Sequence, residues 1–275
     1  MVAMQAKTIV ITGASDGIGA AAARQLRRHR LILLGRSPEK THAVADELGA
    51  TAIVADFAHL GQVRDAARAI AGATDHIDVL ANNAGLISSS PRVVTDDGHE
   101  LTNQVNYLSP FLLTSLLMPQ LLAGRATVIA TSSMAHWVGD VDLDDPDHEA
   151  SFSVFGAYGT SKLELLLMTR ELQRRHGADG LNAVAFHPGM IGSSFALGTG
   201  SLIERFYATP LFRVVAPPSR GADSLVFLAE ATPGVDFEPG SYVVNRRQAA
   251  VKSVSRSVRL ADALWRKTEQ TLGLA

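Results

Sequence analysis

Short segments that are apolar from end to end, each followed by a longer helical stretch, most constrain what this chain can fold into. Residues 7–12 (KTIVIT), 31–35 (LILLG), 51–55, 78–82 (DVLAN), 126–131, 181–186 and 241–244 have the length and branching of strands. A strand with no polar face needs cover on both sides. Helical patterns at 18–29, 38–48, 59–71, 99–122, 157–176 and 220–231 supply that cover, and a last one spans 255–272. Pro38 stands where a helix's first turn tolerates it. Parallel strands joined by right-handed helical crossovers give an α/β fold with one doubly wound parallel sheet and helices on both faces. No repeat or linker divides the 275 residues, so residues 1–275 read as one domain.

The composition narrows the function. Hydrophobic residues make up 47% but aromatics only 6%, so the core is built from Ala, Val, Leu and Ile. A net charge of -2 with no basic run argues against nucleic acid. The absence of cysteine removes disulfides, thiolate chemistry and Cys-zinc sites. No signal peptide is legible. The apolar stretches 108–122, broken by Pro110 and Pro119, and 163–168 fall short of the ~20 residues of a membrane span. A cytoplasmic protein without a membrane span is expected.

Two segments break the alternation. Residues 140–155 are acidic, then rich in Ser and Phe; Asp142, Asp144, Asp145, Asp147 and His148 read as a solvated loop rather than a metal site. Residues 193–218 lie where such folds place a substrate lid. Phe195, Leu197, Leu202, Ile203, Phe206, Tyr207, Leu211 and Phe212 could form an apolar wall there, a packed core or a subunit contact.

The turn after the first strand, Gly13-Ala14-Ser15-Asp16-Gly17-Ile18-Gly19, is rich in glycine and opens the first helix. Glycines let a backbone approach a pyrophosphate, and the free N–H groups of the helix start hold its charge. A dinucleotide is therefore expected. The second strand ends at Gly35-Arg36 with no acidic residue to bond a ribose 2′-hydroxyl. Gly35 leaves space and Arg36 offers a fork to a 2′-phosphate, which favours NADP(H) over NAD(H). Asp16 is unhelpful to that choice.

With these motifs in hand, the chain resembles the short-chain dehydrogenase/reductase family nearly end to end. TGASDGIG (12–19), NNAG (82–85), Asn106, the serines ending TSS (131–133), YGTSK (158–162) and HPG (187–189) stand in the family's order. SSMAH (132–136), the long serine-to-tyrosine gap, HPG and Ala263-Leu264-Trp265 look more like the retinol dehydrogenase and WW-domain oxidoreductase branch. The gap from Ser133 to Tyr158 is 25 positions, so 140–155 must fold outward for the two to meet. The turn 27–30 is also shorter than usual, which could shift Arg36.

The resemblance implies a Rossmann domain and an oxidoreductase moving hydride between NADP(H) and a carbonyl or a primary or secondary alcohol. It implies Tyr158 as general acid/base, Lys162 lowering its pKa and bonding the nicotinamide ribose, Ser133 holding the substrate oxygen, and Asn106 holding a water that reaches Lys162. Tyr158 and Lys162, four apart on a helix, share a face, which is compatible with this. The implied cofactor contacts are Gly13, Ser15, Asp16, Gly17, Ile18, Gly19, Arg36, Asp56, Phe57, Asn82, Ala84, Gly85, Tyr158, Lys162, Pro188, Gly189, Ile191 and Ser193, with Asn83 bracing the sheet. His136 and His187 are taken as structural; Ser132 competes with Ser133. No metal is expected. The partner is a small-molecule carbonyl or alcohol substrate, medium or large in size and apolar. A homodimer or tetramer through 98–122 and 157–176 is possible on the family pattern, with Leu163, Leu166, Leu167 and Arg170 as contacts, unless 255–272 covers that face. The alternative function is a catalytically silent NADP-binding sensor or scaffold, which would be marked by loss of the Tyr, Lys or Ser; all three are present.

Overall fold

The computed structural model describes residues 6–189 and 217–274. Eight strands form a single sheet in the order β3-β2-β1-β4-β5-β6-β7-β8. They are β1 (Thr8–Thr12), β2 (Arg30–Gly35), β3 (Thr51–Val54), β4 (Val79–Asn82), β5 (Thr127–Thr131), β6 (Asn182–His187), β7 (Tyr242–Val244) and β8 (Arg247–Gln248). The first seven are parallel, and only β8 returns antiparallel. The chain winds outward from β1 to β3 and then from β4 to β7. Its direction changes between β1 and β4, where a doubly wound sheet opens a crevice at the strand C-termini.

Burial follows the two-residue period of a strand. Val10, Ile32, Leu34 and Leu80 enter one apolar layer; Ile9, Ile11, Leu31 and Leu33 enter the other. The helices are α1 (Gly17–Gln25), α2 (Pro38–Leu48), α3 (Leu60–Ala73), α4 (Leu101–Asn103), α5 (Ser109–Leu116), α6 (Met118–Ala123), α7 (Val154–His176), α8 (Pro218–Glu230) and α9 (Val258–Thr271). The single helix expected over 99–122 is thus divided. A π turn at Gln104–Leu108 follows α4, and α6 restarts beyond Leu117. Proline explains the first break: Pro110 has no N–H for the carbonyl four residues back, which belongs to Asn106.

β8 is an addition to the expected strands. Asn245 and Arg246 take left-handed φ values of 50° and 61°, as a two-residue hairpin turn requires. The acidic excursion is latched rather than simply solvated. Asp147 accepts from the Glu100 N–H (2.8 Å) and pairs with His99 (3.1 Å), while Pro146 accepts from Asn103 Nδ2 (2.7 Å). Asp142 and Asp145 bond backbone N–H groups of their own loop.

The α9 helix lies against α7. Trp265 packs edge-on to Phe111 at 4.6 Å, and Tyr107 Oη meets Thr268 Oγ1 at 2.8 Å. Leu163, Leu166 and Leu167 are buried within this one chain. They are therefore not the exposed subunit contacts that the family pattern suggested. No helix among the described residues is long and apolar enough to cross a membrane. Of the proposed lid, residues 193–216 lie outside the described residues, as do Ile191 and Ser193.

Candidate active site

The glycine turn sits at the crevice. Gly13 has φ +66°, and a Cβ there would come within 2.9 Å of the Ala84 Cα. A Cβ on Gly19 would fall 2.3 Å from the Gly13 carbonyl oxygen. Only glycine permits this contact between the turn, α1 and the end of β4. Asn83 ties the three strands: its Nδ2 donates to the Thr12 carbonyl (3.0 Å), and its Oδ1 accepts from Thr131 Oγ1 (3.3 Å). The main-chain N–H groups of Asn83 and Ala84 both donate to Thr12 Oγ1 at 3.0 Å.

Asp16 caps α1 by accepting from the Gly17 N–H (2.7 Å), and Lys40 reaches it from α2 at 3.0 Å. These contacts lower the Asp16 pKa, the Lys40 bond most. Arg36 and Lys40 are exposed beside Ser37, the N-cap of α2. Sequence reasoning missed Lys40, although a lysine in the first turn after Pro38 signals it. The space attributed to Gly35 is filled: a Cβ there would meet Thr41 Oγ1 at 2.4 Å and the Ser15 Cβ at 2.7 Å. Gly35 thus serves packing.

Phe57 is buried in the core and its carbonyl accepts from Ser109 Oγ (2.7 Å). Asp56 is half-buried and caps its own turn through the Ala58 N–H. Asn82 is buried, with Nδ2 donating to Thr114 Oγ1 (3.0 Å) and Oδ1 unpaired. Its side chain points into the helix layer; its main chain is what borders the crevice. Gly85 leaves room for Asn106 Oδ1 and Lys162 Nζ, which a Cβ would meet at 3.1 and 3.4 Å. Pro188 and Gly189 follow β6, half-buried.

Tyr158 and Lys162 lie one turn apart on α7, whose first turn Ser153 caps. Lys162 Nζ is 5.5 Å from the centre of the Tyr158 ring and donates to the Thr131 carbonyl (3.0 Å). The lysine is 3% exposed, and burial lowers its pKa to about 7. Ser132 is committed elsewhere, since its buried hydroxyl donates to the Lys162 carbonyl at 3.0 Å. Ser133 is half-exposed and caps a 3-10 turn at Met134–Trp137 through the Ala135 N–H (3.2 Å).

Asn106 is fully buried in the π turn. Its Oδ1 accepts from the Leu86 N–H (2.8 Å), and its Nδ2 donates to the Leu86 carbonyl (2.9 Å) and Ser161 Oγ (3.0 Å). Oδ1 keeps a second lone pair that can accept from a water. Pro110, lacking an N–H, cannot pair with the Asn106 carbonyl four residues back. Against α7 the chain runs close: a Cβ on Gly139 would sit 2.2 Å from the Gly159 carbonyl oxygen, and Asp140 exchanges two bonds with Thr160. That seam lets the excursion leave and return while Ser133 stays beside the helix carrying Tyr158. Among the described residues no cluster of His, Asp and Glu is arranged to hold a metal ion.

Comparison with known proteins identifies the family. The family described as short chain dehydrogenase matches residues 7–199. A protein of Streptomyces sp. (strain C5), named for daunorubicin C-13 ketoreduction, is 38% identical over 97% of this chain and 93% of its own length. Human retinol dehydrogenase 13 is 34% identical over 98% of this chain and 85% of its own. A crystal structure of an uncharacterised protein from Mycobacterium paratuberculosis superimposes with a TM-score of 0.76 at 32% identity, covering 97% of this chain and 93% of the other.

Proposed function

The chain belongs to the short chain dehydrogenase family of hydride-transferring oxidoreductases, and from that premise we propose that it reduces or forms a carbonyl with NADP(H), Tyr158 being the acid/base. The observation that carries this reading is the placement of Lys162 Nζ 5.5 Å from the Tyr158 ring on one helix, beside a half-exposed serine.

When bound, the nicotinamide supplies or takes up the hydride. The chain's residues do the rest. Gly13, Ser15, Asp16, Gly17, Ile18 and Gly19 hold the pyrophosphate at the start of α1. Asp56 and the main chain at Phe57 border the adenine, and Asn82, Ala84 and Gly85 line the ribose side. Pro188 and Gly189, with Ile191 and Ser193, flank the nicotinamide. Arg36 gives a 2′-phosphate its guanidinium fork. Ser37 and Lys40 add a hydroxyl and a second cation at the same helix start, and Lys40 offsets Asp16.

Reduction leaves an alkoxide where the carbonyl was, and Tyr158 gives it the phenol proton. Ser133 donates a hydrogen bond to the same oxygen and holds it near Tyr158. Lys162, as ammonium, favours the tyrosinate that results. It also bonds the ribose hydroxyls and returns a proton from a water on the Asn106 carbonyl. Oxidation of an alcohol runs the same path in reverse.

The substrate is apolar. Met134, Trp137 and Val138 are exposed on the turn that follows Ser133, and Phe155 is exposed one turn before Tyr158. Large apolar side chains gathered at a site rim mark a binding surface. The test is a panel of ketones, aldehydes and alcohols of graded polarity, followed by NADPH absorbance in both directions. Turnover should rise with apolar size and be at least tenfold more efficient with NADPH than with NADH. Turnover of none, with tight NADP(H) binding, would make the protein a cofactor-binding scaffold.

A further inference from the structure

Three buried polar atoms near Tyr158 and Ser133 have no hydrogen-bond partner among the described residues: His136 Nε2, His187 Nδ1 and Tyr242 Oη. They come from three elements. His136 sits on the 3-10 turn after β5, His187 ends β6 and Tyr242 begins β7. Ala185 pairs with Tyr242 and His187 with Val244, so the two-residue period places Tyr242 and His187 on one sheet face at successive positions. The Tyr242 ring lies edge-on to His136 with centres 5.1 Å apart. His136 and Tyr242 are 0% and 2% exposed, which favours water over part of a substrate as their partner.

Proton accounting defines that partner. A carbonyl can only accept, so His136 Nδ1 carries the hydrogen of its 2.6 Å bond to the Ser133 carbonyl. Burial disfavours the imidazolium, and His136 Nε2 is then an acceptor. Burial, with His136 nearby, disfavours the His187 imidazolium as well, and its unpaired Nδ1 can accept in the Nε2–H tautomer. Burial and Tyr158 raise the Tyr242 pKa, so its phenol keeps its proton and donates. Two acceptors and one donor are the complement of a single water.

We propose that His136, His187 and Tyr242 are positioning residues that share one buried water and so fix the Ser133 main chain through His136. This rests on the reading of Tyr158 as the acid/base. The groups around Tyr158 are Lys162 on its own helix, Tyr242 from β7, and His136 and His187 beyond it. Lys252 reaches the same turn through the Gly139 carbonyl (2.6 Å). Lys162 is the cation that favours tyrosinate; the Tyr242 hydrogen is turned to the water, and burial disfavours the charged form of both imidazoles.

Two readouts need no turnover. A high-resolution crystal structure should place one water within about 3 Å of all three atoms. Nitrogen NMR of the imidazoles should show His136 neutral with hydrogen on Nδ1 from about pH 5.5 to 8. Two more use kinetics. Tyr242→Phe should lower kcat about threefold or more with KM for NADPH unchanged, because the water loses its donor. His136→Asn puts an amide N–H where Nδ1 stood and should keep most of kcat, whereas His136→Phe should lose about tenfold or more. Absence of the water, an unchanged kcat in Tyr242→Phe, or equal loss in the Asn and Phe variants overturns the proposal. A wild-type protein with no turnover contradicts the functional reading and the positioning role with it, while the crystal and NMR readouts still decide the cluster.

Discussion

At Lys162, burial and chemistry act against each other. Catalysis asks for an ammonium beside Tyr158, yet enclosure between β5 and α7 lowers the pKa to about 7 in the cofactor-free protein. Only a tyrosinate, or the hydroxyls of a bound ribose, would restore the charge. The folded-state pKa lies below the unfolded value of ~10.4. Between about pH 7 and 10 the unfolded chain therefore binds the extra proton, and stability rises with pH across that window. Below it both states are protonated and the cost is constant. The melting temperature of the wild-type protein relative to Lys162→Met should thus increase from about pH 7 to 9.5; a difference that does not change with pH contradicts the assignment. The closeness of Lys162 to the Tyr158 ring was legible because a helix fixes the i, i+4 relation. Tyr242 was not, since nothing in SYVV tells which residue of a neighbouring strand will face it. The partners of the Asn106 side chain, Leu86 and Ser161, were not legible for a similar reason: they lie far away in sequence.

The element to which the proposal assigns cofactor preference is the start of α2. Arg36, Ser37 and Lys40 gather there with the positive end of the helix, and Lys40 neutralises Asp16 across the gap. Arg36→Asp should raise KM for NADPH about tenfold or more, the equivalent of ~1.4 kcal/mol, and leave KM for NADH unchanged or lower. Steady-state kinetics with both cofactors check this, and an unchanged ratio removes the assignment of the 2′-phosphate to Arg36. Raised salt should weaken NADPH more than NADH, since Arg36 and Lys40 are exposed. The strands were readable as unbroken apolar runs. The π turn was not, because the period of 99–122 looks the same whichever register its carbonyls use; Pro110 was the available sign. β8, two exposed residues, has no apolar signature at all.

For the molecule as a whole, α9 determines what the α5–α7 face can do. Trp265 lies between Phe111 and Arg175, whose guanidinium is 4.9 Å from its ring. Trp265→Ala should cost roughly 3–5 kcal/mol and lower the melting temperature accordingly. It should also promote association, as Leu163, Leu166 and Leu167 gain access to solvent. Thermal melts and light scattering of the full chain test both parts; a variant as stable and as monodisperse as the wild type contradicts them. The sheet, its covering helices and this terminal helix then have one task, to keep a phenol, a lysine and a serine at the C-terminal edge of β4, β5 and β6. The most direct test is single-turnover transfer of deuteride from 4-deuterated NADPH to an accepted ketone, in the wild-type protein and in Tyr158→Phe. The account predicts deuterium on the carbinol carbon with the wild type, and a rate at least about a thousandfold lower in the variant with NADPH affinity unchanged. Transfer by the Tyr158→Phe variant at the wild-type rate would contradict it.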